Sequence, residues 1–182
     1  MLRTTTLLVA LALALASSST VEARPRPTQS SKRFEANKKF GLGLELGQPS
    51  GLTGKYFLSA SGALDFGIGA VYGWRGRDGF HLYADYLWHP VSLVSAEAFE
   101  LPLYFGVGGR VWNYDDYDRN DRFDGRGSAF GLRVPAGIAF DFNNVPLDIF
   151  LQLAFTFDFL TYRSDDFYTD LNFSVGIRYW FD

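Results

Sequence analysis

Polar and apolar residues alternate one by one along most of this chain. The last twelve residues read LNFSVGIRYWFD, and every odd position from Leu171 to Phe181 carries a large apolar side chain. The residues between them are Asn, Ser, Gly, Arg, Trp and Asp. A period of two is the pleat of a β-strand, in which successive side chains point to opposite faces. The pattern therefore predicts a strand with one apolar face and one mixed face.

The same alternation begins at Gly41 and recurs to the end of the chain, separated by turn-forming stretches such as QPSG (48–51), SASG (59–62) and NNVP (143–146). Two connections are longer, NYDDYDRNDRFDGRGS (113–128) and TYRSDDFY (161–168), and the join at 90–100 is the least regular. Eight strands are predicted, at 41–47, 52–59, 63–74, 80–89, 101–112, 129–142, 147–160 and 169–181.

The two faces of these strands differ in kind. The apolar face carries no charged residue in any of the eight strands, whereas the other face holds the strand charges and most of the glycines. The interior of an eight-stranded barrel is only just wide enough to be filled with side chains. Bulky residues fit outside and glycines inside, so the fold class that we predict is all-β: an eight-stranded antiparallel up-and-down transmembrane β-barrel.

The N-terminal 40 residues do not share the alternation. Residues 1–23 contain the ten-residue apolar run LLVALALALA and end in the small-residue pattern SSSTVEA, which is typical of a signal peptide cleaved after Ala23. Residues 24–40 are rich in Pro, Ser, Lys and Arg and are predicted to be a flexible basic periplasmic tail. The barrel then occupies 41–182, and the predicted location is the bacterial outer membrane.

An even number of strands with the N-terminus inside determines which turns face the cell exterior. The connections at 48–51, 75–79, 113–128 and 161–168 are predicted to be extracellular, and those at 59–62, 90–100 and 143–146 periplasmic. The two longest charged connections therefore lie on the outer side.

Charged residues of the inward face form the first candidate site. The predicted interior polar network consists of Glu45, Lys55, Asp85, Arg110, Arg133, Asp148, Asp158 and Arg178. Such residues either line an ion path or form a plug of paired charges, and the narrow interior of eight strands favours the plug.

Catalytic and metal chemistry find little support in the residue pattern. The chain has no Cys, and its two histidines are His81 and His89, of which His81 could meet Ser50 near the outer rim. The acidic stretch at 115–125 lacks the Gly and acid spacing of a calcium loop. We therefore predict no enzyme activity, no cofactor and no metal site.

The extracellular connections form the second candidate site. Tyr and Arg are frequent energetic anchors at interfaces. The predicted contact residues are Tyr114, Tyr117, Arg119, Arg122, Phe123, Tyr162 and Phe167.

Several stretches resemble those of known membrane barrels: GQPSGLTGKYFLS, ALDFGIG, HLYADYLWH, LPLYFGVGGR, LRVPAGI, PLDIFLQL and DLNFSVGIRYWFD. From Gly41 onward the chain resembles the small eight-stranded bacterial outer-membrane barrels, and more closely an uncharacterised family of presumed outer-membrane barrels held as a domain of unknown function. The resemblance implies the fold and says little about activity.

The expected function is a structural or surface-interaction (adhesion or binding) role through the extracellular loops. The alternatives are an outer-membrane lipid-modifying enzyme and a narrow pore. The expected partners are outer-membrane lipid and an extracellular protein or envelope polymer, with no nucleic acid, and the barrel is expected to be a monomer.

Overall fold

A closed antiparallel barrel forms the structure of this protein, a computed structural model that describes residues 33–71, 78–117, 123–160 and 167–181. Each strand pairs with the next in the sequence, and β1 pairs with β8 to close the sheet. The strands are β1 Phe40–Gly47, β2 Ser50–Phe57, β3 Gly62–Val71, β4 Asp78–Ser95, β5 Phe99–Tyr117, β6 Phe123–Phe142, β7 Leu147–Leu160 and β8 Phe167–Phe181. The predicted fold class, an all-β eight-stranded antiparallel up-and-down barrel, is confirmed.

The two ends of the barrel differ in what they carry. Residues 33–39 and the turns at 58–61, 96–98 and 143–146 lie at one end, here named the tail end. The other end, the hairpin end, carries the β1–β2 turn and the outer part of the long β5–β6 hairpin. All eight strands run between these two ends, so the inward side chains line the interior from the tail end to the hairpin end.

Side-chain burial follows the alternation as the sequence predicts. On β7, for example, Leu151, Leu153 and Phe155 are exposed on the outer surface, while Gln152 and Ala154 are buried inside. Among the buried residues that the structure describes, polar and charged side chains outnumber apolar ones. The barrel therefore has an apolar exterior and a polar interior, the reverse of a water-soluble protein.

Glycines of the inward face make room for large neighbouring side chains. A Cβ atom at Gly67 would meet the Tyr83 ring at 2.4 Å, and one at Gly176 would meet the Phe150 ring at 2.4 Å. Since real Cβ atoms do not approach so closely, any side chain here would displace an aromatic ring from a filled interior. The inward glycines are thus required by the narrowness of the barrel.

Strands β4 and β5 are longer than predicted, because the join placed at 90–100 is mostly strand. β4 continues to Ser95 and β5 begins at Phe99. Register shifts between Trp88 and Val91 and between Ser92 and Ser95 accommodate Pro90, which cannot donate to the ladder. β4 thus continues beyond Pro90, the residue at which the sequence had suggested that the strand ends.

The tail segment is the second difference from the sequence-based expectation. Residues 33–39, predicted to belong to a flexible tail, pack into the tail end of the barrel. Phe34 is 2% exposed, with its ring 5.8 Å from the Phe57 ring and 5.2 Å from the His89 ring. An aromatic residue inside a basic, Pro-rich stretch has hydrophobic area to bury, and the open barrel end is where it does so.

The predicted signal peptide, the predicted tail as far as residue 32 and the connections at 72–77, 118–122 and 161–166 lie outside the described residues. In the described part of the chain, no helix has the length and apolar character needed to cross a membrane.

Two adjacent glycines on β5 provide a test of which face is crowded. A Cβ at inward Gly108 would meet Asp85 Oδ1 at 2.1 Å, whereas the nearest atom to a Cβ at outward Gly109 is the Gly131 carbonyl oxygen at 3.6 Å. We expect Gly108→Leu to destabilise the barrel by about 1–3 kcal/mol or to prevent folding, because it overpacks the interior. Gly109→Leu should fold like the parent.

The measurement is the free energy of unfolding in urea of the barrel refolded into vesicles, with the folded fraction read from heat-modifiable electrophoretic migration. Equal stability of the two variants would contradict the assignment of faces.

Candidate functional site

Paired charges fill the middle of the barrel interior. Arg178 on β8 donates from Nη1 to Asp65 at 2.7 Å and from Nε to Asp148 at 3.1 Å, and its guanidinium lies 4.0 Å from the centre of the Phe150 ring. All four residues are buried. Removal from water disfavours such charges unless they are paired, and here one cation joins carboxylates from two other strands.

A second cation is held in the same manner nearer the hairpin end. Arg133 on β6 donates from Nε to Asp85 on β4 at 2.8 Å, and its guanidinium stacks 4.1 Å from the centre of the Tyr83 ring. Glu45 on β1 is buried in the same region. Its Oε1 and the Tyr83 ring both lie next to Gly67, within 2.7 Å of the position that a Cβ atom would take there. The ion pair therefore links β4 and β6 over Gly108 of β5, the residue that pairs with both Asp85 and Arg133.

The third guanidinium lies closest to the hairpin end. Arg110 donates to both carboxylate oxygens of Asp158, with 2.9 Å from Nε to Oδ1, and from Nη1 to Asn172 Oδ1 at 2.6 Å. Asn172 in turn donates to Gln48 at the β1–β2 turn at 2.8 Å. The bidentate geometry fixes the side chain more firmly than a single hydrogen bond does.

Lysine side chains complete the network toward the tail end. Lys55 is buried, with Nζ 3.4 Å from His89 Nε2 and 4.4 Å from the centre of the Tyr104 ring. Lys38, from the tail segment, donates to Asp141 at 2.5 Å and to the carbonyl of Phe142 at 2.8 Å. The polar interior thus ends at a lysine contributed from outside the strands.

All eight residues of the predicted interior network point into the barrel and are buried. The structure places them in three groups around the three arginines, together with Lys55, and adds partners that the prediction did not include. Asp65 and Asp141 follow the same alternation and so could have been included from the sequence. Lys38 could not, because nothing in the tail's composition shows which lysine turns inward.

Aromatic rings close the tail end above this network. Phe57 stacks on Trp180 with centroids 5.6 Å apart, and Phe34 joins the same buried cluster with Ala63. Backbone hydrogen bonds hold the segment in place, from Ala36 N to the Ala60 carbonyl at 2.8 Å. Together with the ion pairs, these contacts fill the interior with side chains, an arrangement typical of a plug.

Both histidines lie inside the barrel rather than at a rim. The His81 ring is fully buried, and neither of its nitrogens has a hydrogen-bond partner among the described residues. Ser50 instead exchanges hydrogen bonds of 3.0 Å with the backbone of Gly47. The contact between Ser50 and His81 that the sequence allowed is therefore not formed.

Most of the stretch 113–128, predicted to be a loop, is β-structure. β5 runs to Tyr117 and β6 starts at Phe123, with Asn113 paired to Ser128. Among the described residues, the β6–β7 pairing ends with Ala129 opposite Leu160, and the outer part of β6 pairs with β5. Residues 113–128 are rich in Asp, Arg and Gly and do not alternate, so the period of two that marks the other strands is missing here.

Four of the seven predicted contact residues lie on described strands, and three do not. Tyr114 and Tyr117 lie on β5, Phe123 begins β6, and Phe167 is an exposed residue at the start of β8. Arg119, Arg122 and Tyr162 lie outside the described residues. The hairpin brings Tyr117 and Phe123 opposite each other as paired positions.

No family model, curated protein or solved structure matches this chain. The resemblance to the uncharacterised barrel family therefore stays a prediction, and the function has to be argued from the geometry of the barrel.

The Arg178 ion pairs provide a test of the interior network. Replacing Arg178 with Met leaves two buried carboxylates without their cation, so we expect a loss of about 3–5 kcal/mol in the free energy of unfolding. Lys39→Met, which removes an exposed cation, is the matched control and should have little effect.

The triple variant Arg178→Met, Asp65→Asn and Asp148→Asn should recover part of the loss, because the two carboxylate charges that Arg178 neutralises are removed with it. Urea unfolding in vesicles measures all three variants. A loss for Arg178→Met no greater than that for Lys39→Met would show that these pairs do not stabilise the barrel.

Proposed function

We propose that this chain is an outer-membrane β-barrel that inserts as a monomer and presents its β5–β6 hairpin for surface interactions. The observation that carries the proposal is the outer face. Among the charged strand residues whose side chains the structure describes, none points outward from the barrel. Large apolar side chains cover that surface instead.

An apolar surface of this extent is costly in water. Leu44, Phe130 and Leu171 are 58%, 56% and 58% exposed, on three different strands. Soluble monomers rarely expose contiguous apolar patches above roughly 300–600 Å². In hydrocarbon the same surface is favourable, and a closed barrel satisfies the backbone hydrogen bonds that lipid cannot.

Aromatic side chains lie toward both ends of the apolar face. Near the tail end, the rings of Tyr56 and Phe181 lie 6.4 and 6.0 Å from that of Phe40. Toward the hairpin end, Phe157 and Phe159 pack against Phe167 at 5.8 and 5.6 Å. Two aromatic groups separated by aliphatic residues resemble the belts by which membrane barrels meet the two interfaces.

The filled interior supports a binding role more than transport. Three guanidinium groups and their carboxylates occupy successive positions along the barrel, and Phe34 closes the tail end. At the other end, the β5–β6 hairpin runs past the described residues of β4 and β7, and its sequence contains Tyr, Asp and Arg residues suited to polar contacts. The proposed partner is an extracellular protein or an envelope polymer.

A charge on the outer face tests membrane insertion. Leu151→Arg puts a guanidinium in the middle of the apolar face of β7, which costs about 2–4 kcal/mol near a bilayer midplane. Leu151→Ala is the control for lost side-chain volume and should cost less. Folding into vesicles, followed by heat-modifiable migration, measures both, and a Leu151→Arg barrel as stable as the parent would contradict lipid contact at this face.

Shortening the hairpin tests the binding role. Replacing 114–127 with a tight turn between Asn113 and Ser128 removes the ribbon at a point where the two residues already pair and hydrogen bond at 2.9 Å. We expect unchanged insertion, because every β6–β7 pair of the described residues is kept and the β4–β5 ladder loses only its two outermost pairs, Gly79–Tyr114 and Asp78–Asp115. Pull-down of envelope and extracellular proteins should lose the partner that the parent barrel retains.

A barrel of equal length in which each Tyr, Phe and Arg of 114–127 is replaced by Ser serves as the matched control for ribbon length. Retention of the same partner by the shortened, correctly inserted barrel would place the binding surface elsewhere.

A further inference from the structure

A hollow interrupts the apolar outer face between β4 and β7. It has a volume of about 430 Å³ and opens on the surface that the proposed function puts in lipid. Its floor is formed by Ala84 on β4 and Gly109 on β5, which are direct cross-strand partners. Its walls are Leu82, Val111, Phe130, Leu132 and Phe159.

The hollow exists because two small residues face each other where their neighbours are large. Gly54 and Gly62 also lie on the outward face, and there side chains already occupy the position of a Cβ atom: the Phe66 ring lies 2.6 Å from it at Gly54, and the Tyr86 hydroxyl lies 2.5 Å from it at Gly62. At Gly109 no side chain enters that space, since the nearest atom is a backbone oxygen at 3.6 Å. Neighbouring side chains thus cover the space beside the other outward glycines, whereas the space beside Gly109 stays open.

The chemistry of the hollow selects an apolar occupant. The two polar residues that line it, Tyr83 and Arg110, belong to the inward face, and the Arg110 guanidinium already binds Asp158 and Asn172 inside the barrel. A polar group entering from outside would lose its hydration without gaining a hydrogen bond. A hydrocarbon chain would instead gain the dispersion contacts that the open walls lack.

The size of the hollow argues against a protein partner. Ten residues line it, whereas stable protein interfaces use roughly 20–30 residues a side. Its continuity with the surrounding apolar face allows a lipid to enter sideways without leaving the membrane. We propose that the hollow holds an acyl chain of a membrane lipid, so that one lipid is bound at β4–β7 in preference to the rest of the barrel surface. The proposal rests on the proposed membrane insertion.

The test uses the full chain folded into vesicles of phosphatidylethanolamine and phosphatidylglycerol that contain a phosphatidylethanolamine with a diazirine in its acyl chain. After illumination, mass spectrometry locates the adducts. We expect adducts to concentrate on Leu82, Val111 and Phe130, in excess over Leu44 and Ile177 on the far side of the barrel.

Gly109→Leu fills the floor of the hollow and should abolish this excess, leaving the labelling at the level of the far side. Ala84→Leu fills the same space from β4 and provides a second variant if the first folds poorly. Ala136→Leu adds the same side chain to an exposed position on β6 that does not line the hollow, and should leave the excess unchanged.

Three outcomes would overturn the acyl-chain site. The first is even labelling around an inserted barrel. The second is an excess of adducts at the hollow that survives both Gly109→Leu and Ala84→Leu. The third is a hollow that carries no lipid adducts because a second barrel covers this face. A complete lack of adducts on the outer face would instead refute membrane insertion, and both proposals with it.

Discussion

Pairing of β1 with β8 closes the sheet, and the narrow interior that results governs the rest of the structure. Eight strands enclose an interior only just wide enough to be filled with side chains. Glycine makes room beside bulky inward residues, as at Gly67 against Tyr83 and Gly176 against Phe150. Most of the large apolar residues therefore lie on the outer surface.

The same narrowness decides how the interior charges are arranged. A guanidinium from one strand reaches carboxylates on other strands, as Arg178 does with Asp65 and Asp148. Aromatic rings stack on each guanidinium or lie close to it, as Phe150 does on Arg178 and Tyr83 on Arg133. Arg178 and Asp148 pair between the neighbouring strands β7 and β8, whereas Arg178–Asp65, Arg133–Asp85 and Arg110–Asp158 couple strands that are not neighbours in the sheet.

Both proposed functions of this protein lie on its surfaces. Buried side chains occupy the interior from the Phe34 cluster at the tail end to the Arg110 group near the hairpin end. The two surfaces proposed for recognition are the outer part of the β5–β6 hairpin and the hollow at Ala84 and Gly109. The first is proposed for polar partners, and the second for a hydrocarbon chain.

The sequence by itself determined the number of strands, their two faces and the fold class, because a period of two residues is a local property that needs no knowledge of neighbours. It placed Arg133, Asp158 and the other network residues inside for the same reason. Only the tertiary structure decided which charges meet, since barrel closure sets the register between strands. Lys38 reaches Asp141, β6 continues outward to Phe123, and Ala84 faces Gly109 for reasons that no local pattern contains.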